Sequence, residues 1–324
     1  MHRRTLGLAT AGLALSRAAA AQDAYPSRPI RLLVPFSPGG TTDLFARKFA
    51  DRIGRVLGQG VIVDNKAGAS GAIAAAETAR ARADGYTLFF ATSTTLAILP
   101  TMMARPTYDV ERDFSMIALV GLTPLLLSVT ATVPAHTTRE LVALIKAHPG
   151  QYSYGTSGVG SANHLAGELF KLQAGGLDLL HVPYRGSAPA LQDALIGRNA
   201  VFFDSFVTLL PYHREGRMRI LSIFSTQRSR IAPEIPTAIE EGIPDMVAGS
   251  FQVLVAPSGT PTPVIETLQR ATAQVMSDPG FQDELLALGN EPVTDSTPDS
   301  TRAFVARELA RWAPIIRATG TTLE

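Results

Sequence analysis

Short apolar runs alternate with helical periodicity along the first third of the chain. The run Ile30 to Val34 predicts a strand, and the apolar residues Phe45, Phe49 and Ile53 then recur at helical spacing. Two further apolar runs follow, each leading into a loop of small residues, at 61–63 and 86–91. This repetition of strand, small-residue loop and helix predicts a parallel sheet with helices on its faces.

The same pattern restarts in the second half of the chain. Strands are predicted at 152–154, 181–184, 201–203 and 220–224, and helices at 141–147, around Leu165 and Leu169, and at 189–196. A strand near 251–255 is expected to return to the first half. Three helices close the chain, at 263–276, 279–288 and 298–318. Two α/β domains are therefore expected, because the chain is also too long for one ordinary core.

The stretch Met116 to Pro134 joins the two halves and contains no charged residue. Gly121 and Pro124 interrupt it, and its end at 128–132 is rich in β-forming residues. It therefore predicts two buried strands that meet at a crossing between the domains, rather than a membrane-spanning helix.

The first 21 residues are interpreted as an export signal. Arg3 and Arg4 give a positive start, residues 6–15 are apolar, and 18–21 offer an Ala-x-Ala cleavage pattern. The adjacent arginines leave the general secretory and the twin-arginine routes both open. The predicted organisation is a signal peptide at 1–21, domain 1 at 22–124 plus 251–324, and domain 2 at 125–250.

Charge composition argues against two classes of partner. The chain has 29 basic and 28 acidic residues, and without the three arginines of the signal 26 basic residues face 28 acidic ones, a net charge of −2. A nucleic-acid or anionic-membrane surface would need a clustered excess of lysine and arginine. The chain has no cysteine and therefore forms no disulfide.

Candidate chemistry lies in the loops that follow the predicted strands, because ligands of open α/β sheets bind beyond the carboxyl ends of the strands. These loops are rich in glycine, serine and threonine and poor in charge, at 36–42, 65–71, 92–95, 155–164, 184–187 and 204–205. They offer hydroxyls and backbone N–H groups, and helix starts facing each other suit an anion. A single glycine-rich turn proves little, since glycine also serves simply to redirect the chain.

Five side chains in these loops are candidate ligand contacts, and four of them have a second interpretation. Asp43, like the threonines before it, either caps the following helix or contacts the ligand. His164 either donates to a carboxylate or is a satisfied, half-buried histidine, and Tyr184 is a candidate to supply both packing area and a hydroxyl. Arg185 either binds a carboxylate bidentately or extends into solvent. Asp204 either meets an ammonium or hydroxyl group of the ligand or caps the next helix.

Familiar enzyme signatures are not found in the sequence. It contains no Gly-x-Ser-x-Gly elbow, no P-loop and no cysteine nucleophile, and its six histidines have no zinc-binding spacing. We therefore predict no metal, no cofactor and no enzymatic activity. A hydrolase that pairs Ser157 or Ser161 with His164 is the alternative.

The chain resembles the substrate-binding proteins of tripartite tricarboxylate transporters, the Bug family, from about Tyr25 to Thr319. The resemblance rests on motifs in a fixed order: 25–31 (YPSRPIR), 34–40 (VPFSPGG), 63–69 (VDNKAGA), 84–88 (DGYTL), 154–161 (YGTSGVGS), 182–186 (VPYRG), 228–230 (RSR), 235–237 (IPT), 241–244 (EGIP) and 256–261 (APSGTP). Each motif alone is modest, but together they identify the family.

The resemblance implies a two-lobed α/β periplasmic binding-protein fold of type II, with parallel-rich sheets flanked by helices and a ligand cleft between the lobes. It also implies a carboxylate ligand held by the Pro-Gly-Gly turn and by facing loops of the second domain. Together with the loop analysis it gives these candidate ligand-binding residues: Phe36, Ser37, Pro38, Gly39, Gly40, Thr41, Ala67, Ser93, Thr94, Thr156, Ser157, Gly160, Ser161, His164, Tyr184, Arg185, Gly186 and Asp204.

The expected partners follow from the same resemblance. A di- or tricarboxylate, amino acid or aromatic acid is the ligand, and membrane transporter subunits bind the closed protein transiently. The protein is expected to be a periplasmic monomer. A sensor that presents its closed form to a receptor kinase is the alternative role on the same fold.

Overall fold

The computed structural model describes residues 25–184 and 186–318. The predicted signal peptide at 1–21 and the candidate residue Arg185 lie outside the described residues. Within them, the predicted strands and helices are confirmed, with ends that differ by at most three residues. No helix of the described ranges combines the length and the apolar character that crossing a membrane requires.

The strands form two mixed sheets. In chain order they are β1 Ile30–Val34, β2 Val61–Asn65, β3 Thr87–Thr92, β4 Phe114–Pro124, β5 Leu126–Thr130, β6 Ser153–Thr156, β7 Leu180–Pro183, β8 Val201–Asp204, β9 Met218–Ile223, β10 Gly249–Pro257 and β11 Glu291–Pro292. The first sheet has the order β11-β4-β10-β3-β1-β2 and the second the order β7-β6-β8-β5-β9. The α/β fold predicted from the sequence is confirmed.

Helices cover the faces of both sheets. They are α1 Thr41–Leu57, α2 Ala72–Ala79, α3 Leu99–Met102, α4 Val110–Asp113, α5 Thr138–Ala147, α6 Ala162–Gln173, α7 Ser187–Leu195, α8 Phe206–Arg214, α9 Thr262–Met276, α10 Pro279–Ala287 and α11 Pro298–Ala318. The periodicity of α1 faces the core as expected, since Phe45, Phe49 and Ile53 are buried. Phe45 packs edge-to-face on Phe90 of β3, with ring centroids 5.1 Å apart.

Each sheet combines three parallel strands with antiparallel neighbours. β2, β1 and β3 are parallel, while β10 runs antiparallel to both β3 and β4. In the second sheet β7, β6 and β8 are parallel, and β5 runs antiparallel to β8 and β9. The reversed strands β5 and β10 begin directly after the chain passes between the sheets, and the short β11 also runs antiparallel to β4, so both sheets are mixed.

Three backbone segments lie side by side where the chain passes between the sheets. The Leu125 N–H donates to the Ala248 carbonyl at 3.0 Å, and the Phe224 N–H donates to the Leu125 carbonyl at 2.8 Å. The Ala248 N–H completes the set with a 3.0 Å bond to the Phe224 carbonyl. The uncharged stretch predicted to hold two strands and a crossing is therefore confirmed as β4, Leu125 and β5.

This crossing lies at the carboxyl ends of the parallel strands in both sheets. Asp204, the last residue of β8, pairs with Leu126, the first residue of β5. In the first sheet, Pro124 at the end of β4 pairs with Gly249, and Thr92 at the end of β3 pairs with Gln252. The loops that follow the strands of both sheets therefore lie around the crossing, which is where ligands of open α/β sheets bind.

Candidate functional site

The turn between β1 and α1 is held by a network around Asp43. The Asp43 carboxylate accepts the Gly39 N–H at 2.8 Å, Arg47 Nε at 3.0 Å and Asn65 Nδ2 at 2.9 Å. Asn65 Nδ2 also donates to the Phe36 carbonyl at 2.9 Å. The two ends of the Phe36–Gly40 turn are thereby fixed, while Ser37, Pro38, Gly39 and Gly40 remain exposed.

Asp43 does not cap α1 in the way predicted. The N-cap residue is Gly40, which no side chain assists, so the threonines that follow it do not cap the helix either. Asp43 lies in the first turn and reaches back to the Gly39 N–H, outside the helix. Burial acts to raise the pKa of Asp43, but hydrogen bonds from Arg47, Gly39 and Asn65 outweigh it and hold the pKa below its usual range.

Close packing joins the three strand-end loops of the first sheet. A Cβ on Gly71 would lie 2.7 Å from Thr95 Cγ2 and 2.9 Å from Pro35 Cβ, so only glycine allows these loops to meet. Ser93 and Thr94 are buried beside this contact, whereas Ala67 is exposed. The Ser93 hydroxyl donates to the Ser250 hydroxyl at 3.1 Å and so links the β3 loop to the crossing.

In the second sheet, Asn163 organises the loop between β6 and α6. Its Oδ1 accepts the Ser157 N–H at 3.3 Å and the hydroxyls of Ser157 at 3.0 Å and Ser161 at 2.6 Å. The Gly160 N–H donates to His164 Nδ1 at 3.2 Å. This loop is therefore internally bonded, and neither serine hydroxyl pairs with an imidazole nitrogen among the described residues.

Two histidines support the same loop from behind. The rings of His164 and His181 stack with centroids 4.0 Å apart, and His181 Nε2 lies 2.7 Å from Thr156 Oγ1. Because His164 Nδ1 accepts a backbone N–H, the neutral ring carries its proton on Nε2. Burial lowers the pKa of His164, and burial together with the neighbouring His164 lowers the pKa of His181 to about 4. His164 thus matches the predicted satisfied histidine, and at neutral pH it is not a charged partner for a carboxylate.

The hydroxyl of Tyr184 is engaged within its own lobe. It donates to Asp193 Oδ2 at 2.8 Å and accepts Asn199 Nδ2 at 2.7 Å. Tyr184 contributes to the site through its backbone, since its N–H donates to the Thr156 carbonyl at 3.0 Å. The Gly186 N–H donates to the Ser157 carbonyl at 3.1 Å, so the loops after β6 and β7 are fixed to each other.

Asp204 at the end of β8 is only 8% exposed. Its Oδ1 accepts the Ser205 N–H at 2.7 Å, whereas its Oδ2 is screened from solvent and has no hydrogen-bond partner among the described residues. The N-cap residue of α8 is Ser205, so the predicted capping role of Asp204 is wrong. Burial raises the pKa of the Asp204 carboxyl above its usual range. Thr92 Oγ1, at the end of β3, is a second buried oxygen without a hydrogen-bond partner in the described part of the chain.

Most helices that begin at the crossing lack a side-chain cap. No side chain of the described residues hydrogen-bonds the first turn after the N-cap residues Gly40 of α1, Ser93 of the short π-helix 94–98, Gly186 of α7 and Ser205 of α8. The exception is α6, where Ser161 accepts the His164 N–H. Elsewhere, first-turn N–H groups are capped by Asp109 in α4, Thr137 in α5 and Asp278 in α10, whereas α2, α3 and α9 have no side-chain cap within the described ranges. Helix starts from both sheets therefore present N–H donors and partial positive charge at the crossing.

We expect the free energy of unfolding to fall as the pH drops from about 6.5 towards 4. In the unfolded chain the imidazole of His181 takes up its proton near its ordinary value of 6.5, but in the fold only near 4. Between these values the unfolded state binds more protons, so acid favours it. Urea denaturation should show the stability gap between the wild type and His181→Gln narrowing as the pH falls through this window.

His136→Gln provides the matched control, because His136 is an exposed histidine. The gap between the wild type and this variant should stay nearly constant over the same range. A constant gap for His181→Gln as well would contradict the assigned role of the histidine pair.

Comparison with known proteins identifies the family. The family model described as "Tripartite tricarboxylate transporter family receptor" matches residues 45–321. The chain belongs to this family. Among curated relatives, Protein BugT of Bordetella pertussis is 38% identical over 98% of this chain and 96% of its own length.

Solved structures of receptors agree with this assignment. Rhodopseudomonas palustris Rpa4515 with adipate is 34% identical, has a TM-score of 0.85, and is aligned over 92% of this chain and 99% of its own. MatC from Rhodopseudomonas palustris with bound malate is 28% identical, has a TM-score of 0.81, and is aligned over 90% and 100%. The two-lobed periplasmic binding-protein fold implied by the sequence resemblance is thereby confirmed.

The receptor fold brings most of the predicted loops together, but it also shows residues that the sequence analysis did not single out. Asn65, Asn163 and Asn199 each bond the backbone or a side chain of a candidate loop. Asn65 ends a strand and Asn163 begins a helix, which was a signal, since asparagine is favoured where it bonds nearby backbone. Asn199 lies between α7 and β8. The partners of Asn65 and Asn199 could not be predicted from the sequence, because they lie 15 to 46 residues away.

Proposed function

We propose that this receptor captures a small carboxylate between its two lobes, at the crossing. The observation that carries the proposal is the set of uncapped helix starts, from both sheets, at the carboxyl ends of the strands. Backbone N–H donors and helix dipoles favour an anion there, and hydroxyls such as that of Ser93 add donors without adding charge. Adipate in Rpa4515 and malate in MatC support the same ligand class for this chain.

Closure over the ligand would use the hydrogen-bonded crossing as its hinge. The first lobe in this proposal comprises 22–124 plus 251–324, and the second comprises 125–250. Ligand affinity then includes the free energy of closing as well as direct contacts. The closed, monomeric receptor would deliver the carboxylate to a tripartite tricarboxylate-type secondary transporter in the membrane.

The receptors of this family are periplasmic, and this chain is accordingly placed in the periplasm. The N-terminal signal predicted at 1–21 would direct its export. We further propose that the protein is not an enzyme and needs no metal or cofactor. The alternative pairing of Ser157 or Ser161 with His164 is disfavoured, because His164 Nδ1 already accepts the Gly160 N–H. The sensor role remains the second candidate, and co-purification with a receptor kinase instead of transporter subunits would support it.

A thermal-shift screen of residues 22–324 tests the binding function. The panel contains aliphatic di- and tricarboxylates, amino acids and aromatic acids, each beside its uncharged amide. A ligand at a hundred times its Kd stabilises the folded state by about 2.7 kcal/mol, which gives a clear rise in Tm. We expect a rise with particular carboxylates and none with their amides. A panel without any rise would contradict the proposed ligand class.

A further inference from the structure

The unpaired oxygen of Asp204 requires an explanation that the carboxylate site does not supply. Asp204 is more than nine-tenths buried, and its Oδ2 has neither solvent contact nor a hydrogen-bond partner within 25–184 and 186–318, while Oδ1 is bonded to Ser205. Buried polar atoms in folded proteins are almost always paired, and leaving one unpaired is costly. An ionised acid here would also repel a ligand carboxylate bound at the same helix starts.

The described residues around Asp204 do not supply a hydrogen-bond donor for its buried Oδ2. The hydroxyls of Ser187 in α7 and Thr208 in α8 are close enough to lower its pKa, but neither meets hydrogen-bond geometry with Oδ2. Burial is the larger effect and raises the pKa. Asp204 is therefore enclosed by the first turns of α7 and α8, with one oxygen left for a further donor.

Space is available next to this enclosure. Apart from the two adjacent residues, no described atom lies within 4 Å of the point where a Cβ on Gly186 would stand, and Gly186 directly precedes Ser187 at the start of α7. A ligand held at the crossing can therefore approach the start of α7. Reaching Oδ2 requires it to enter between Ser187 and Thr208, whose side chains are only partly buried.

We infer that Asp204 determines specificity: the ligand carries a hydroxyl or ammonium donor, beside its carboxylate, that hydrogen-bonds Asp204 Oδ2. This rests on the proposed carboxylate-binding function and narrows its substrate class. A hydroxyl or ammonium donor on the ligand would favour the ionised form of Asp204 against the effect of burial, and the oxygen of an ionised carboxylate accepts such a hydrogen bond. In a site that excludes water, a hydrogen bond to such a group discriminates strongly against ligands that lack the donor.

Matched ligands test the inference by isothermal titration calorimetry. Succinate, malate and aspartate share one skeleton and differ only at C2, and adipate, 2-hydroxyadipate and 2-aminoadipate form a longer set. If the thermal-shift panel identifies another parent acid, its hydroxy and amino derivatives replace these. We expect the wild type to bind a hydroxy or amino derivative about tenfold to a hundredfold more tightly than the parent acid. The derivative that binds more tightly shows whether the donor is a hydroxyl or an ammonium group.

Asp204→Asn should remove the preference for the hydroxy or amino derivative over the parent acid. The amide oxygen can still accept the Ser205 N–H, which leaves an NH₂ donor where the free carboxylate oxygen lies. Asp178→Asn makes the same change at an exposed acid of the second lobe and should leave the preference intact. Thermal melting of both variants establishes that they are folded.

Two outcomes would overturn the inference while leaving the binding function in place. The first is a wild type that binds the parent acid as tightly as, or more tightly than, its hydroxy and amino derivatives. The second is an Asp204→Asn variant that keeps the wild-type preference. A wild type that binds no carboxylate at all is a different result, because it contradicts the proposed function itself.

Discussion

Replacing Gly39 with leucine is expected to abolish carboxylate binding and to leave the lobe folded. Gly39 precedes the uncapped start of α1, and no atom lies within 4 Å of the point where its Cβ would stand. A leucine side chain would therefore fill the open space in front of the helix start and cover its N–H donors. Loss of two such charge-assisted hydrogen bonds weakens binding by about a hundredfold or more.

The folding stability of Gly39→Leu should decrease much less than its affinity for the ligand. Gly39 has a φ of +89°, where a residue with a side chain costs roughly 1–2 kcal/mol, but leucine would meet no neighbouring atom. Gly58 at the other end of α1 is the matched control, with a φ of +67° and equally open surroundings. Thermal melts with and without ligand should show similar destabilisation in both variants, and a ligand-induced shift only in Gly58→Leu. A ligand-induced shift that persists in Gly39→Leu would exclude this turn from the site.

The main features of the fold were predictable because they depend on neighbours in sequence. The apolar run at 30–34 and the helical spacing of Phe45, Phe49 and Ile53 both report burial of one face, which the structure confirms. The interruption of the uncharged stretch by Gly121 and Pro124 predicted two strands with a crossing, and the chain divides there into β4 and β5. Such local patterns can be recognised without knowing which loops of the two sheets come into contact.

The chemistry of individual side chains in the site was less predictable, because it depends on contacts between distant residues. His164 and His181 are 17 positions apart, and nothing in either segment indicates that their rings stack. Tyr184 was expected to offer a hydroxyl, but Asp193 and Asn199 occupy that hydroxyl from other parts of the lobe. Asp43 was expected to cap a helix, but it turns back to Gly39 because Arg47 and Asn65 converge on the same carboxylate.

Gly249→Ala is expected to reduce the free energy of unfolding by about 3 kcal/mol or more, the upper end for an overpacked site. An added Cβ would lie 2.5 Å from the Thr123 carbonyl oxygen and 3.0 Å from Pro124 Cα. Both are backbone atoms of β4, so no side chain can move aside, and the paired strands β4 and β10 must separate. Gly249 pairs with Pro124 at the crossing, so the same separation would disturb the proposed hinge.

Gly60→Ala is the control that isolates this packing effect. Neither Gly249 nor Gly60 has a φ in the left-handed region, but nothing lies within 4 Å of a Cβ on Gly60. Alanine there should be neutral or stabilise the protein by up to about 1 kcal/mol, because it restricts the unfolded chain. Urea denaturation of both variants measures the difference directly. Equal free energies of unfolding in the two variants would mean that β4 and β10 separate at the crossing without cost. A crossing that deforms so easily would not restrict the two lobes to a single closing motion.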